Sequence, residues 1–188
     1  VGGANQDLFI DNLVITAGRP TPPPLPAVAA YYDFEDQEGD SVADKGANGL
    51  NGAINRPDQL TIGGSGAPKG STPGTGADFQ GGFLSIAGTG DAIQNIVDGE
   101  GSYTAAAWIK PSDIGGDKFL FGQTSQGIHN GIRNGGFLHQ AHWGADTNGA
   151  TKLNADEWVH AAFVYDGAAD VGTIYLNGEV DWTGGKRA

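Results

Sequence analysis

The stretch DEWVHAAFVYDG at residues 156–167, followed by TIYLNGEVD at 173–181, contains the strongest β-strand pattern in the chain. Alternation of side chains along a strand assigns its residues to two faces: Trp158, His160, Ala162 and Val164 on one, and Val159, Ala161, Phe163 and Tyr165 on the other. Both faces are mostly apolar, which is typical of a central strand in a layered β structure. The pair Asn177–Gly178 predicts a hairpin turn, because both residues accept a positive φ.

Other segments repeat this pattern of short strands and turns. Strands are predicted at 79–86, 103–109, 118–122 and 136–143, and further Asn-Gly pairs, read as turns, occur at 48–49, 51–52, 130–131, 134–135 and 148–149. About ten strands with almost no helix indicate two packed antiparallel sheets. The sequence therefore predicts an all-β, two-sheet β-sandwich of the jelly-roll type.

Composition excludes several classes of function. The 188 residues have a formal net charge of -12, which argues against nucleic-acid binding, because phosphates attract Lys and Arg. The count of Cys is 0, so disulfides and thiolate metal sites are excluded. No apolar run approaches the roughly 18 residues of a membrane span. No Met opens the chain, so Val1 is expected to be a processed end or a point inside a longer protein.

Three segments are predicted along the chain. Residues 1–18 contain one strong strand candidate, Leu8–Thr16, and residues 19–27 (RPTPPPLPA) form a Pro-rich linker. Proline fixes φ and removes N–H donors, so this linker is expected to be an extended polyproline II spacer. Residues 28–188 are expected to be the sandwich.

Four motifs in order resemble those of the laminin G-like, concanavalin A-like jelly-roll superfamily. They are YYDFEDQEGDSVADKGANGLNGAI (31–54), GADFQGGFLSIAG (76–88), SYTAAAWIKP (102–111) and the opening stretch with its W-x-H-x-A and Y-x-N-G signatures. The resemblance implies a sandwich that ends with a further strand after the Y-x-N-G motif. Here GGKRA ends the sequence instead, whereas the first residues, VGGANQDLFIDNLVIT (1–16), resemble that closing strand.

The sandwich is thus expected to be closed by an N-terminal strand from the same or a neighbouring copy. Three interpretations stay open: one period of a tandem array, a circular permutant, or donor-strand exchange between molecules. In each, the apolar side chains Leu8, Ile10, Leu13 and Ile15 fill a gap in the core and the main chain pairs an open sheet edge. The stiff linker favours head-to-tail joining with other copies over folding back.

The resemblance also raises glycoside hydrolysis, because hydrolases of this superfamily carry E-x-D-x-x-E or E-x-D-x-E on one strand. The stretch here offers only Glu179 and Asp181, and the third position is Thr183 or Gly184. Without a second Glu there is no acid for the leaving oxygen. The chain is therefore predicted not to be an enzyme.

A structural Ca²⁺ is the cofactor that the resemblance implies, held between the first loop and an Asp of the closing strand. By motif position its ligands would be Glu35, Asp44, Asn48 and Asp11. Calcium prefers six to eight oxygen ligands of this kind. The alternative is a solvated acidic loop without a cation.

Carbohydrate binding needs an aromatic platform with polar side chains at its rim. The best candidates are Trp143, His142, Arg133 and Asp146, and Trp182 is a second platform. The alternative for Trp143 is packing against the core. The four histidines are scattered, and His139 and His142 are expected on opposite faces of a strand, so they would not chelate together.

These observations favour a non-catalytic extracellular structural or adhesive repeat, joined head-to-tail as an array or filament. The alternatives are a Ca²⁺-dependent carbohydrate-binding module that binds a polysaccharide or glycan and, less favoured, a remnant of a glycoside hydrolase. No N-x-Ser/Thr sequon is present, which points to a secreted or cell-surface protein of a prokaryote. Neither nucleic acid nor membrane insertion is expected.

Overall fold

The structure, a computed structural model, describes residues 28–69, 72–86, 101–122, 127–142 and 144–185. The chain divides between Gly88 and Thr89 into two compact units, which are described separately. The predicted strand Leu8–Thr16 and the predicted boundaries at residues 18 and 27 lie outside the described residues. Closure of the sandwich by that strand therefore stays a prediction.

Almost every regular element in the described residues is a β-strand. In chain order the strands are β1 (Gln37–Glu38), β2 (Ser41–Val42), β3 (Gly52–Asn55), β4 (Leu60–Lys69), β5 (Thr72–Phe79), β6 (Phe83–Ile86), β7 (Tyr103–Ile109), β8 (Lys118–Gly122), β9 (His129–Arg133), β10 (Phe137–His142), β11 (Ala145–Lys152), β12 (Val159–Asp166), β13 (Val171–Leu176) and β14 (Glu179–Gly185).

The first unit contains a four-stranded antiparallel sheet in the order β1-β2-β3-β6 and an antiparallel ribbon of β4 and β5. Its small core is formed by Val42, Ile54 and Leu60. A 3-10 turn, Pro57–Gln59, leads into β4, and its N-cap Arg56 has a φ of 57°. The small size of this core means that hydrogen bonds from loop side chains contribute substantially to the order of the unit.

The second unit is a β-sandwich of two four-stranded antiparallel sheets. The β12 sheet has the order β14-β13-β12-β7, and the β10 sheet has the order β11-β10-β9-β8. The buried core contains Tyr103, Val159, Ala161, Phe163, Tyr165 and Ile174 from the β12 sheet, Ile128, Ile132 and Leu138 from the β10 sheet side, and Leu153. The predicted all-β sandwich is confirmed by these sheets.

Strand β12 occupies the central position that its two apolar faces predicted. It pairs with β7 on one side and β13 on the other, so that Phe163 lies opposite both Ala105 and Ile174. Phe163 is only 2% exposed. Burial of such a side chain stabilises a fold by about 1.5–3 kcal/mol before the cost of ordering it.

The Asn-Gly pairs divide into turns and strand interiors. Asn134–Gly135 and Asn177–Gly178 adopt positive φ and form the predicted turns between β9 and β10 and between β13 and β14. The turn prediction is wrong at 130–131 and 148–149, which lie inside β9 and β11. At Gly131 the reason is close packing, because a Cβ there would overlap the carbonyl oxygen of Lys118 on β8.

None of the elements in the described ranges is a helix with the length and apolar composition needed to cross a membrane.

Candidate functional site

A pocket opens at the edge of the core in the second unit, where β10 and β11 face β12, β13 and β14. Its cavity volume is about 20 Å³, the space of about one water molecule, and Gln140, His142, Thr147, Tyr165, Gly172 and Trp182 are among the residues that line it. Gly172 keeps it open, because a Cβ there would lie 2.7 Å from Oε1 of Gln140 and 3.3 Å from the Trp182 ring. We call this space the Trp182 pocket.

Gln140 has an unusual position in the Trp182 pocket. Its side chain is 2% exposed, and Nε2 donates to the carbonyl oxygen of Val164 at 3.0 Å, which fixes the orientation of the amide. Oε1 is directed towards Gly172 and is the one buried side-chain oxygen or nitrogen without a hydrogen-bond partner in the described residues. A buried carbonyl oxygen left unpaired costs about 1–3 kcal/mol, so this atom favours a ligand with a hydroxyl or N–H donor.

A buried hydrogen-bond network orients the polar wall of the pocket. The Tyr103 hydroxyl accepts hydrogen bonds from Nδ2 of Asn130 at 2.9 Å and from Nε2 of Gln140 at 3.4 Å. Its own proton is therefore directed to Nε2 of His142, at 3.3 Å. Burial raises the pKa of Tyr103 and outweighs the opposite effect of the two amide donors, so the hydroxyl stays protonated.

Aromatic rings also line the pocket. The His142 and Tyr165 rings are 4.4 Å apart between centroids, with an interplanar angle of 43°. The hydroxyl of Tyr165 donates to Oδ1 of Asp170 at 2.8 Å, which holds the ring in place. Trp182 packs against the core and is partly exposed at the pocket. An apolar ring beside a few placed polar atoms is the usual composition of a small-ligand site.

The outward face of the β10 sheet has a second polar group of side chains. Strand pairing brings it together: His139 on β10 lies opposite Gly131 on β9 and Asn148 on β11, and Ala141 lies opposite Asp146. His129, Arg133, His139, Asp146 and Asn148 consequently share this face, and we call them the outward cluster. The His129 and His139 rings are 5.5 Å apart between centroids.

Arg133 lies at the centre of the outward cluster. Its Nη1 is 3.4 Å from Oδ2 of Asp146 and 3.5 Å from Nε2 of His139, and its Nε is 3.1 Å from Oδ2 of Asp117. The guanidinium thus pairs with two carboxylates while its side chain is still 33% exposed. Exposed pairs of this kind stabilise a fold by less than about 1 kcal/mol, so the arginine can exchange partners.

Two amides fix the protonation of His139. Its Nδ1 is 2.9 Å from Oδ1 of Asn148, and this oxygen also accepts from Nδ2 of Asn134 at 3.1 Å. Nδ1 of His139 is therefore the protonated nitrogen, and the lone pair of Nε2 is directed towards Arg133 and Asp146. Burial lowers the pKa of His139 despite the opposite effects of Asn148 and Asp146, so the ring is neutral at pH 7.

Comparison with known proteins gives one match. A family model described as the concanavalin A-like lectin/glucanases superfamily matches residues 87–186. The chain belongs to this superfamily. The matched range includes the Trp182 pocket and the outward cluster, and the resemblance predicted from the sequence motifs is confirmed. No curated protein and no solved structure matches the chain.

The residues predicted to bind carbohydrate do not lie on one surface of this lectin-like sandwich. Arg133 and Asp146 meet on the outward face, whereas His142 points into the core, is 6% exposed and lines the Trp182 pocket. Strand periodicity places the side chain of residue 142 on the other face from residues 133 and 146, and carbohydrate binding by this set stays a prediction. Trp143 lies outside the described residues, and Trp182, the second predicted platform, lines the pocket.

The histidines are less scattered than the sequence suggested. His139 and His142 point to opposite faces as predicted, but His129 joins His139 across the β9–β10 pair. Sequence reasoning missed this contact and also the burial of Gln140. The position of Asn134–Gly135 in the sequence is the signal for the His129–His139 contact, because a tight turn there sets which residues of β9 and β10 lie opposite each other.

Three of the residues predicted to bind calcium, Glu35, Asp44 and Asn48, are described, and they take part in hydrogen bonds within the first unit. Oδ1 of Asp44 accepts from the amides of Tyr31 and Gly46 at 2.8 and 2.6 Å, and Oδ2 accepts from that of Leu50 at 2.8 Å. Although desolvation opposes them, these donors lower the pKa of Asp44.

The other predicted calcium ligands have separate partners. Glu35 accepts from the amide and hydroxyl of Thr75 at 2.7 and 2.6 Å, and Asn48 donates to the carbonyl oxygen of Ala29 at 2.8 Å. Asp11 lies outside the described residues. The calcium site therefore stays a prediction.

The two carboxylates that suggested hydrolysis have different surroundings. Oδ1 of Asp181 accepts from the backbone amide of Thr151 on β11 at 3.1 Å. Glu179 is exposed at the start of β14. This arrangement makes Asp181 a connection between β14 and β11.

Proposed function

We propose that this chain is a non-catalytic carbohydrate-binding module of a secreted or cell-surface protein, and that the Trp182 pocket binds one sugar unit of a glycan. The observation that carries the proposal is the unpartnered, buried Oε1 of Gln140 beside an aromatic ring in a pocket. Membership of the lectin/glucanases superfamily agrees with a binding module of this kind.

The pocket has room for one hydroxyl group of a sugar, whose ring would lie at its mouth. The C–H face of that ring would stack on Trp182, because pyranose rings present apolar patches to aromatic side chains. The hydroxyl would donate to Oε1 of Gln140, beside the wall that includes His142 and Thr147. This hydrogen bond removes the cost of the unpaired carbonyl oxygen, so it favours hydroxyl-bearing ligands over apolar ones.

Binding without catalysis agrees with the surroundings of the carboxylates. The acidic residue among those lining the pocket is Asp146, and its Oδ2 is 3.4 Å from Nη1 of Arg133 on the outward face. Asp181 is bonded to the backbone of β11. Hydrolysis of a glycosidic bond needs two carboxyl groups facing one substrate bond, and the described residues of the pocket offer no such pair.

The test is binding to a panel of immobilised plant and microbial polysaccharides, followed by titration of the oligosaccharide that binds. We expect Trp182→Ala and Gln140→Met each to weaken binding at least about tenfold, because loss of one buried hydrogen bond or stacking contact costs more than 1.4 kcal/mol. Trp108→Ala is the matched control, since Trp108 lies on the outer face of the same sheet, beside His160. Equal binding by all four proteins, each folded by circular dichroism, would refute the pocket as the site.

A second candidate is the head-to-tail structural repeat. It is supported by the position of β7, which is the last strand of the β12 sheet within the described residues and so offers a main-chain edge for another strand. We propose Leu8–Thr16 of another copy as that strand. Loss of filaments or oligomers on deletion of residues 1–16 would support this role, and a monomer in both forms would exclude it.

A further inference from the structure

We propose that His129, His139 and Asp146 form a binding site for a divalent transition metal ion of the Zn²⁺ class on the outward face of the β10 sheet. One ligand atom from each residue lies within 4.8 Å of the other two. The site adjoins the Trp182 pocket, because Asp146 also lines that pocket, but it does not depend on the proposed function.

The three ligand atoms are close to the geometry that zinc requires. Nε2 of His129 and Nε2 of His139 are each 4.0 Å from Oδ2 of Asp146. A tetrahedral Zn²⁺ with bonds of about 2.0–2.2 Å holds its ligand atoms about 3.4 Å apart. Rotation of the side chains of His129 and Asp146, which are 15% and 42% exposed, can supply the remaining contraction.

Neighbouring side chains prepare His139 to bind a metal. Oδ1 of Asn148 holds the proton on Nδ1 of His139, which leaves the lone pair of Nε2 on the side of Asp146. Orientation of a ligating histidine by a hydrogen bond to its other nitrogen is typical of protein metal sites. Phe119 packs edge-on against His129, with ring centroids 5.1 Å apart, and so restricts the second imidazole.

Arg133 occupies the position of the cation in the absence of metal. Its guanidinium is within 3.5 Å of both Asp146 and His139, so it already supplies positive charge where the ion would bind. Asp117 provides a second partner for its Nε at 3.1 Å, so Arg133 keeps one carboxylate partner when a metal ion takes the other. Metal binding therefore competes with the arginine.

The chemical nature of the ligand atoms determines which metal ion the site prefers. Two imidazole nitrogens and one carboxylate oxygen suit Zn²⁺, Ni²⁺ or Cu²⁺ far better than Ca²⁺ or Mg²⁺, which prefer oxygen alone. Three protein ligands leave a fourth position for water or for an oxygen of a bound molecule. Asp146 would contribute one negative charge and both histidines would bind in the neutral form.

The test is calorimetric titration of the full chain with ZnCl₂, together with the visible absorption of the Co²⁺ form. We expect one Zn²⁺ per chain, an absorption band typical of tetrahedral Co²⁺, and a loss of at least tenfold in affinity in His129→Gln and in Asp146→Asn. Asn148→Ala, which removes the hydrogen bonds from His139 and Asn134 but none of the three ligands, should weaken binding about 10–100-fold. His160→Gln is the matched control, because His160 lies in the other sheet beside Trp108.

Arg133→Gln gives the sharpest result. We expect it to raise the affinity for Zn²⁺ about tenfold or more, because it removes the competing cation while leaving all three ligands. Absence of Zn²⁺ binding, unchanged affinity in His129→Gln, or unchanged affinity in Arg133→Gln would each overturn the proposal. Trp182→Ala should leave Zn²⁺ binding intact, so failure of the sugar site and failure of the metal site are distinguishable.

Discussion

The two faces of strand β10 satisfy their polar groups in opposite ways. On the inward face Gln140 and His142 are buried, and one carbonyl oxygen of Gln140 has no partner in the described residues. On the outward face His139 is equally buried, yet Asn148 and Arg133 lie within hydrogen-bond distance of its two nitrogens. The inward face thus offers an acceptor atom without a partner in the described residues, whereas the outward face pairs both ring nitrogens of His139 with protein groups.

This difference predicts two modes of recognition within one sandwich. A ligand of the Trp182 pocket gains a hydrogen bond that the protein lacks, so it needs to displace no protein group. A ligand of the outward cluster must first displace the guanidinium of Arg133, so its affinity depends on how firmly Asp117 and Asp146 hold that side chain. Mutations that separate the two faces test this comparison.

Of the substitutions considered, Gly131→Ala should lower the free energy of unfolding most, because it disrupts the pairing of β8 with β9 and thereby both faces of the β10 sheet. The new Cβ would overlap the backbone of Lys118 and force β8 away from β9. We expect the free energy of unfolding to fall by at least about 3 kcal/mol, the upper part of the range for overpacking, since backbone cannot rotate aside. Urea denaturation of the variant and of the unsubstituted chain measures this difference in the free energy of unfolding.

Gly115→Ala is the control for this substitution. A Cβ at Gly115 meets only Oδ1 of Asp113 at 3.4 Å, an ordinary contact, so a change within about 1 kcal/mol is expected. Equal stability of the two variants would show that β8 and β9 are not packed as closely as described.

Tyr103→Phe should cause the next largest fall in the free energy of unfolding, and it should affect only the inward face of strand β10. It removes the acceptor of Asn130 and Gln140 and the donor to His142. Buried groups left unpaired cost about 1–3 kcal/mol each, and burial prevents water from replacing the hydroxyl. We expect a loss of stability in this range that does not depend on salt. Tyr175→Phe in the same sheet is the control, and a similar loss there would contradict this explanation.

Much of the sandwich was predictable because its strands follow local rules. The alternation in 158–166 identified β12 as a central strand, and Asn177–Gly178 identified the β13–β14 turn. The same rule wrongly predicted a turn at Asn130–Gly131. There the glycine allows close packing of β9 against β8, and the asparagine side chain donates to the Tyr103 hydroxyl. A dipeptide cannot distinguish these uses without the neighbouring strand.

The sites were less predictable because they depend on strand register. Two of the predicted carbohydrate-binding residues, Arg133 and Asp146, are in contact, but His142 lies on the other face. The His129–His139 contact requires β9 to pair with β10 so that Gly131 lies opposite His139. A shift of one residue would place the histidines on different faces, and the Asn134–Gly135 turn sets this register only once the exact length of its loop is known.

Asp117→Asn should cause the smallest fall in the free energy of unfolding, and it should affect only the outward face of the β10 sheet. Asp117 is 45% exposed and its pair with Arg133 is exposed to solvent, so the free energy of unfolding should fall by less than about 1 kcal/mol. The difference from the unsubstituted chain should vanish at about 1 M salt, where the screening length is about 3 Å. A loss as large as that of Tyr103→Phe, or one that persists at high salt, would mean that this face resembles the buried one, and the guanidinium could then not yield to a metal ion.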